Sequence, residues 1–244
     1  MKFNLSNILL ATALSTAVMA TSSHAEIILH GTRVIYPSDA REVTLQLSNN
    51  GTKPSLVQAW IDEGDPQSTP DQSKVPFMIS PPIARVEAER SQTLRITALP
   101  QAAQFNKNQE TVLWLNVVDI PPKPSTDGAA DAPENFLQLA IRSRIKFFYR
   151  PASIKEDVRT APEQLQWSRS GNTLNVKNPT PFHVTLTTIR QKKGDKQVDL
   201  LPQGLMLKPF STEEVALQSN TVEDMSFINI NDYGGRVEYK IKLQ

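Results

Sequence analysis

The chain has no cysteine, and only three of its 244 residues are histidine. The first absence removes disulfide scaffolds and thiolate metal sites. It does not argue against export, because oxidising compartments permit disulfides without requiring them. The scarcity of histidine leaves thin material for general-base or metal chemistry. Charge of one sign is also missing: 26 Lys and Arg face 25 Asp and Glu, whereas a nucleic-acid partner calls for a clearly basic face. No G-x-S-x-G, P-loop or H-E-x-x-H occurs. No apolar run reaches the roughly 20 residues of a membrane span, and no apolar 3.6-residue period appears outside the N-terminus. Neither a catalytic activity nor a cofactor is expected.

The N-terminus carries Lys2, an apolar stretch from Ile8 to Ala20, then Ser23-His24-Ala25. A small-x-small pattern after such a run reads as a secretory signal peptide, residues 1–25, cut after Ala25. Cleavage removes one Lys and no acid, leaving Glu26 to Gln244 formally neutral with 25 charges of each sign. His30 and His183 are then the remaining histidines. A soluble, exported protein is expected, with no membrane insertion and no nucleic-acid partner.

Short alternating segments dominate the rest: Ile27–Tyr36, Val43–Leu47, Leu56–Ile61, Leu94–Ala98 and Val112–Val117, then Leu165–Trp167, Thr173–Val176, Val184–Ile189, Leu205–Leu207, Glu213–Leu217, Phe227–Ile230 and Val237–Ile241. Turn signals such as Asn49-Asn50-Gly51 and Ser80-Pro81-Pro82 lie between them. About seven short strands in each half is the pattern of an immunoglobulin-like sandwich. The fold class expected is therefore all-β with two such domains, 26–151 and 152–244. The border falls at Pro151, whose missing N–H would interrupt a ladder.

One segment is too long for that rhythm. From Phe136 to Pro151, Leu137, Leu139, Ile141, Ser143, Ile145, Phe147 and Tyr149 alternate with residues that include Gln138, Arg142, Arg144 and Lys146. Strands average about five or six residues, so a strand of this length needs cover from its own core or from another protein. The proline-rich segment Pro121–Pro133 precedes it and reads as a mobile functional loop. Two smaller signals have plainer readings. Asp62, Glu63 and Asp65 beside Gly64 and Pro66 form a solvated turn, and Asp232-Tyr233-Gly234-Gly235 a hairpin turn.

The segment Phe105–Pro121, FNKNQETVLWLNVVDIP, resembles the signature of the periplasmic pilus chaperones, the PapD-like family of the chaperone–usher pathway. Gly31–Pro37, Arg144–Pro151, Asn178–Phe182 and Ile230–Gly235 match in order and spacing. The resemblance implies two sandwiches set as a boomerang in the periplasm. It also implies a function: folding and capping pilus subunits by lending them a strand, then delivering them to an outer-membrane usher. Leu137, Leu139 and Ile141 fall on the donor positions; Arg33 and Lys146 on the anchor for the subunit's C-terminal carboxylate; Glu110, Arg150 and Asp232 on an interdomain charge network; Pro54, Leu56 and Ile120 on the usher-facing surface. Leu56 and Ile120 could equally be buried strand-end residues.

Lys146 has the opposite parity to Leu137, Leu139 and Ile141. Either a bulge intervenes or the lysine emerges between the domains. The family's long-loop members carry a cysteine pair beside the donor strand; its absence here favours the short-loop group. The rival reading is a secreted structural protein, a pilus subunit or adhesin. Such a subunit would carry an N-terminal donor extension, whereas Glu26 leads straight into the first strand. A second copy could also cap the exposed strand when the protein is free.

Overall fold

The computed structural model describes residues 27–123, 138–220, 222 and 224–244. The expected signal peptide (1–25), most of the proline-rich loop and Leu137 lie outside them. The N-terminal half contains β1 (Ile27–Leu29), β2 (Arg33–Pro37), β3 (Val43–Asn49), β4 (Ser55–Asp62), β5 (Phe77–Ser80), β6 (Ile83–Val86), β7 (Ser91–Ala98), β8 (Thr111–Ile120) and β9 (Ile141–Arg150). One sheet runs β1-β3-β7-β5 and its partner β2-β9-β8-β4-β6. Between them Tyr36, Leu47, Leu94, Ile96, Leu115 and Phe147 are buried to 1% exposure or less. Tyr36 and Phe77 pack edge to face with ring centroids 5.4 Å apart. The Tyr36 hydroxyl accepts the Ala98 N–H at 3.0 Å, so its polar end is satisfied inside the core.

The C-terminal half contains β10 (Gln166–Ser170), β11 (Thr173–Lys177), β12 (Val184–Lys193), β13 (Lys196–Asp199), β14 (Leu205–Leu207), β15 (Thr212–Ala216), β16 (Ser226–Ile230) and β17 (Arg236–Lys240). Sheet β10-β11-β15 faces sheet β13-β12-β16-β17, with β14 added beside β12. Trp167, Leu174, Phe182, Leu186, Ile189 and Phe227 fill the space between. Among the described residues, helix is confined to short 3-10 turns, none long and apolar enough to cross a membrane.

Two expectations are corrected here. Ile27–Tyr36 is not one strand: β1 pairs with β3, while β2 joins the opposite sheet alongside β9. The crossing at His30–Thr32 lets one segment close both sheets. The long strand is also shorter than its alternation suggests, because β9 begins at Ile141 rather than Phe136. Its partner β8 stops at Ile120, and Pro121 and Pro122 have no N–H with which to extend the ladder past the Asp119–Ile141 pair. Leu139 and Ile141 are 62% and 50% exposed.

Candidate functional site

β9 is the strand around which the site is built. Its odd residues Phe147 and Tyr149 enter the N-terminal core. Its even residues Arg142, Arg144, Lys146, Phe148 and Arg150 point out of the opposite face. The β8–β9 register runs unbroken from Thr111–Tyr149 to Asp119–Ile141, so no bulge reorients Lys146. The parity question resolves in favour of the cleft: the outward face of β9 borders the second domain. The Lys146 Nζ donates to Thr185 Oγ1 of β12 at 3.0 Å. Buried Phe148 lies 5.6 Å from the His183 ring.

β2 pairs with β9 in parallel, and Arg33 stands directly beside Lys146. Register partners in a parallel pair share a face, which brings the two cations together. The Arg33 NH1 donates to the Ile230 carbonyl at 3.1 Å, and its buried Nε has no partner among the described residues. Among the described residues neither cation has an ion pair. Burial, assisted by repulsion from Arg33, pulls the Lys146 ammonium from its ordinary 10.5 to about 8. A cavity of about 530 Å³ opens in the cleft beside Arg33, Phe148 and Arg150.

Glu110, Arg150 and Asp232 do meet. The Arg150 Nε donates to Glu110 Oε1 at 2.7 Å, and its NH1 donates to Asp232 Oδ2 at 2.8 Å. Burial alone would raise the Glu110 carboxyl, which is 2% exposed. Hydrogen bonds from His183 and the charge of Arg150 outweigh that and hold it below its ordinary value. His183 is a member that sequence reasoning missed. Its backbone N–H reaches Glu110 Oε2 at 2.9 Å and its Nδ1 lies 3.2 Å from the same oxygen. Asn178, wholly buried, shapes the preceding loop by donating to the Phe182 carbonyl at 2.7 Å. The Asn178-Pro179-Thr180-Pro181-Phe182 segment therefore aims both His183 and the Pro181 carbonyl at Glu110. Asp232 is delivered by the 231–235 turn, in which Asn231 Oδ1 accepts the Tyr233 and Gly235 N–H groups. Gly234, at φ 82°, lies so close to Thr32 that a Cβ there would stand 2.6 Å from Thr32 Oγ1.

Asp62 is not part of a solvated turn. It is 4% exposed and sits on the outward face at the end of β4. It accepts Arg144 NH2 and Asn116 Nδ2, each at 2.6 Å, Ser68 Oγ at 2.9 Å and the Gly64 N–H at 2.6 Å. Burial pushes its carboxyl up, but these donors outweigh it and keep it below the usual carboxylate value. Glu63 and Asp65 are exposed, as a turn requires. At the far end of the same face, Leu56 (42% exposed) is the cross-strand partner of half-buried Ile120. Half-buried Pro54 precedes them, and Ile83, 52% exposed on neighbouring β6, enlarges the apolar patch.

Two β-sandwiches in series, joined through a largely buried ion network, with unpaired cations beside a half-open strand, define a two-domain β-sandwich of the pilus-chaperone type. Residues 26–155 match the family described as pili and flagellar-assembly chaperone, PapD N-terminal domain. Residues 160–241 match pili assembly chaperone PapD, C-terminal domain. The chain belongs to this family of pilus-assembly chaperones. It is 42% identical to the chaperone protein MrkB of Klebsiella pneumoniae, over 93% of this chain and 96% of that one. Against the Pseudomonas aeruginosa CupB2 chaperone the TM-score is 0.73 at 34% identity, covering 89% of this chain and all of the other. The SafB chaperone of Salmonella enterica, solved with the SafA pilin, gives a TM-score of 0.72 at 27% identity, covering 91% of this chain and 99% of that one.

Proposed function

We propose that the protein holds pilus subunits by lending them the first half of β9, and that it anchors each subunit by its C-terminal carboxylate between Arg33 and Lys146. One observation carries this reading. β2 covers only residues 146–150 of β9, so the edge of Ile141–Ile145 away from β8 is free of any described strand. An added strand would lie collinear with β2 and stop against Arg33. Run parallel to β9, it brings a C-terminal carboxylate to two unpaired cations. Run antiparallel, it would bring an ammonium there. Charge-assisted hydrogen bonds to Arg and Lys favour the first arrangement. Main-chain bonds along the open edge supply general affinity, and exposed Leu139 and Ile141, with Leu137 before them, fill pockets in the guest. Burying each such side chain contributes roughly 1.5–3 kcal/mol.

On this reading residues 1–25 direct export to the periplasm, the domains divide at 151/152, and the protein works without catalysis or cofactor. The Glu110–Arg150–Asp232 network sets the angle between domains, a role that suits buried ions better than stabilisation does. Pro54, Leu56, Ile83 and Ile120 form the usher-facing surface. The membership of the family and the pilin held by the related SafB chaperone support a chaperone over a secreted structural protein. Co-export with candidate subunits tests the reading: wild type yields a soluble one-to-one complex, whereas Arg33→Ala and Lys146→Ala stay folded and lose it. Wild-type yields from both variants would refute the anchor.

A further inference from the structure

The outward face of β9 beside its open edge carries a built device that subunit anchoring does not use. Among the described residues, 141–145 pair along the main chain with β8 alone, and singly paired edges open easily. Yet the side chains there are fastened across two strands. Arg144 lays its guanidinium 4.4 Å over the Trp114 ring of β8 and reaches Asp62 of β4 at 2.6 Å. Arg142 lies 4.6 Å over the Trp60 ring, donates through Nε and NH2 to Asn116 Oδ1 at 2.9 and 2.6 Å, and through NH1 to the Pro66 carbonyl at 2.8 Å. Asn116 and Ser68 in turn donate to Asp62, and the Trp60 Nε1 to Ser68 at 3.2 Å. Two arginines of the open half thus converge on buried Asp62, Arg144 at 2.6 Å and Arg142 at 3.6 Å. The covered half needs no such tether, since β2 and the aromatic core hold Phe147 and Tyr149.

We propose that Asp62 is a positioning residue for strand donation: through Arg144 and Arg142 it keeps Ile141–Ile145 extended and in register before a subunit arrives. The inference rests on the strand-lending reading above. Its physical basis is preorganisation, since a strand already ordered does not lose that freedom on binding. A buried ion cluster fixes orientation more than it adds stability.

The test compares Asp62→Asn and Arg144→Met, the second keeping an apolar stem over Trp114. Hydrogen exchange in the free, full-length monomer should accelerate about ten- to hundredfold for the amides that Ile141–Ile145 donate to β8, as expected for losing a charged hydrogen bond. Phe147–Arg150 should keep wild-type protection. The yield of soluble complex with a co-exported subunit that wild type holds should fall with it. Exchange that rises equally along all of β9, in step with the urea midpoint, would show a merely structural role and overturn the proposal. Should Asp62→Asn fail to fold, Arg144→Met decides by the same readout. If the anchor variants lose the complex and the Asp62 and Arg144 variants keep it, the positioning role falls and strand lending stands. If every variant keeps it, the carboxylate anchor of that reading falls together with the positioning role.

Discussion

Docking a carboxylate between Arg33 and Lys146 should draw a proton from solvent. In the free protein burial and the neighbouring guanidinium lower Lys146 from 10.5 to about 8, a penalty on its charged form of roughly 3 kcal/mol. A bound carboxylate reverses the sign of the local field and returns the lysine towards its ordinary value. Well below about pH 8 the ammonium is charged in both states and nothing is exchanged. Between about pH 8 and 10 the complex keeps a proton that the free protein lacks, so affinity falls as pH rises. Uptake should be about half a proton per complex near pH 8, and affinity should drop about tenfold from pH 7 to 9. Titration calorimetry in two buffers of different ionisation enthalpy reads the uptake directly. The ligand is a peptide carrying a cognate subunit's C-terminal strand with a free carboxylate. Lys146→Arg should bind without that pH dependence, because its guanidinium stays charged. Buffer-independent enthalpies near pH 8.5 and a flat affinity from about pH 7 to 9 would refute the reasoning.

Further predictions come from the same contacts. The desolvated lysine costs the free protein stability below about pH 8, so Lys146→Met should raise the urea-derived unfolding free energy at neutral pH by roughly 1–2 kcal/mol while abolishing subunit capture. Glu110→Gln leaves partly buried Arg150 with its Asp232 pair and His183 facing a neutral amide, and the lost charged contacts should cost roughly 1–3 kcal/mol by the same measure. The folded-state carboxyl of Glu110 lies below its unfolded value of 4.5. Its stabilisation is therefore present above that value and is lost as pH falls through the folded-state one. The variant should show a shallower loss of stability than wild type over that acidic range. Gly234→Val meets both the left-handed backbone and Thr32, and should lower the thermal midpoint by several degrees, corresponding to roughly 1–3 kcal/mol.

The elements that could be read in advance were those whose signal is local. Strands with one face buried, such as β3 and β7, announce themselves by alternation. β5, β6 and β13 span four residues each, too short to show a period. The crossing at His30–Thr32 is invisible because alternation continues through it while the partner strand changes. Asp62 was misread for a related reason: composition placed it in a polar turn, but its burial comes from Arg144, 82 positions away. His183 gives no signal of its own, and its tie to Glu110 exists only once two domains meet. The direction taken by Lys146 needed the structure as well, since parity says which face a side chain takes and not what lies beyond that face.

The short reach of β2 has one more consequence. By occupying the edge of β9 from Lys146 onward, it works as a doorstop: a guest strand that continued would collide with it. On the strand-lending reading, an internal strand of a passing protein is turned away there, however well its side chains match. Only a polypeptide that ends there can, and a chain crossing a membrane N-terminus first shows its end last. If guests are chosen by that end, the doorstop would admit a chain once its export is finished.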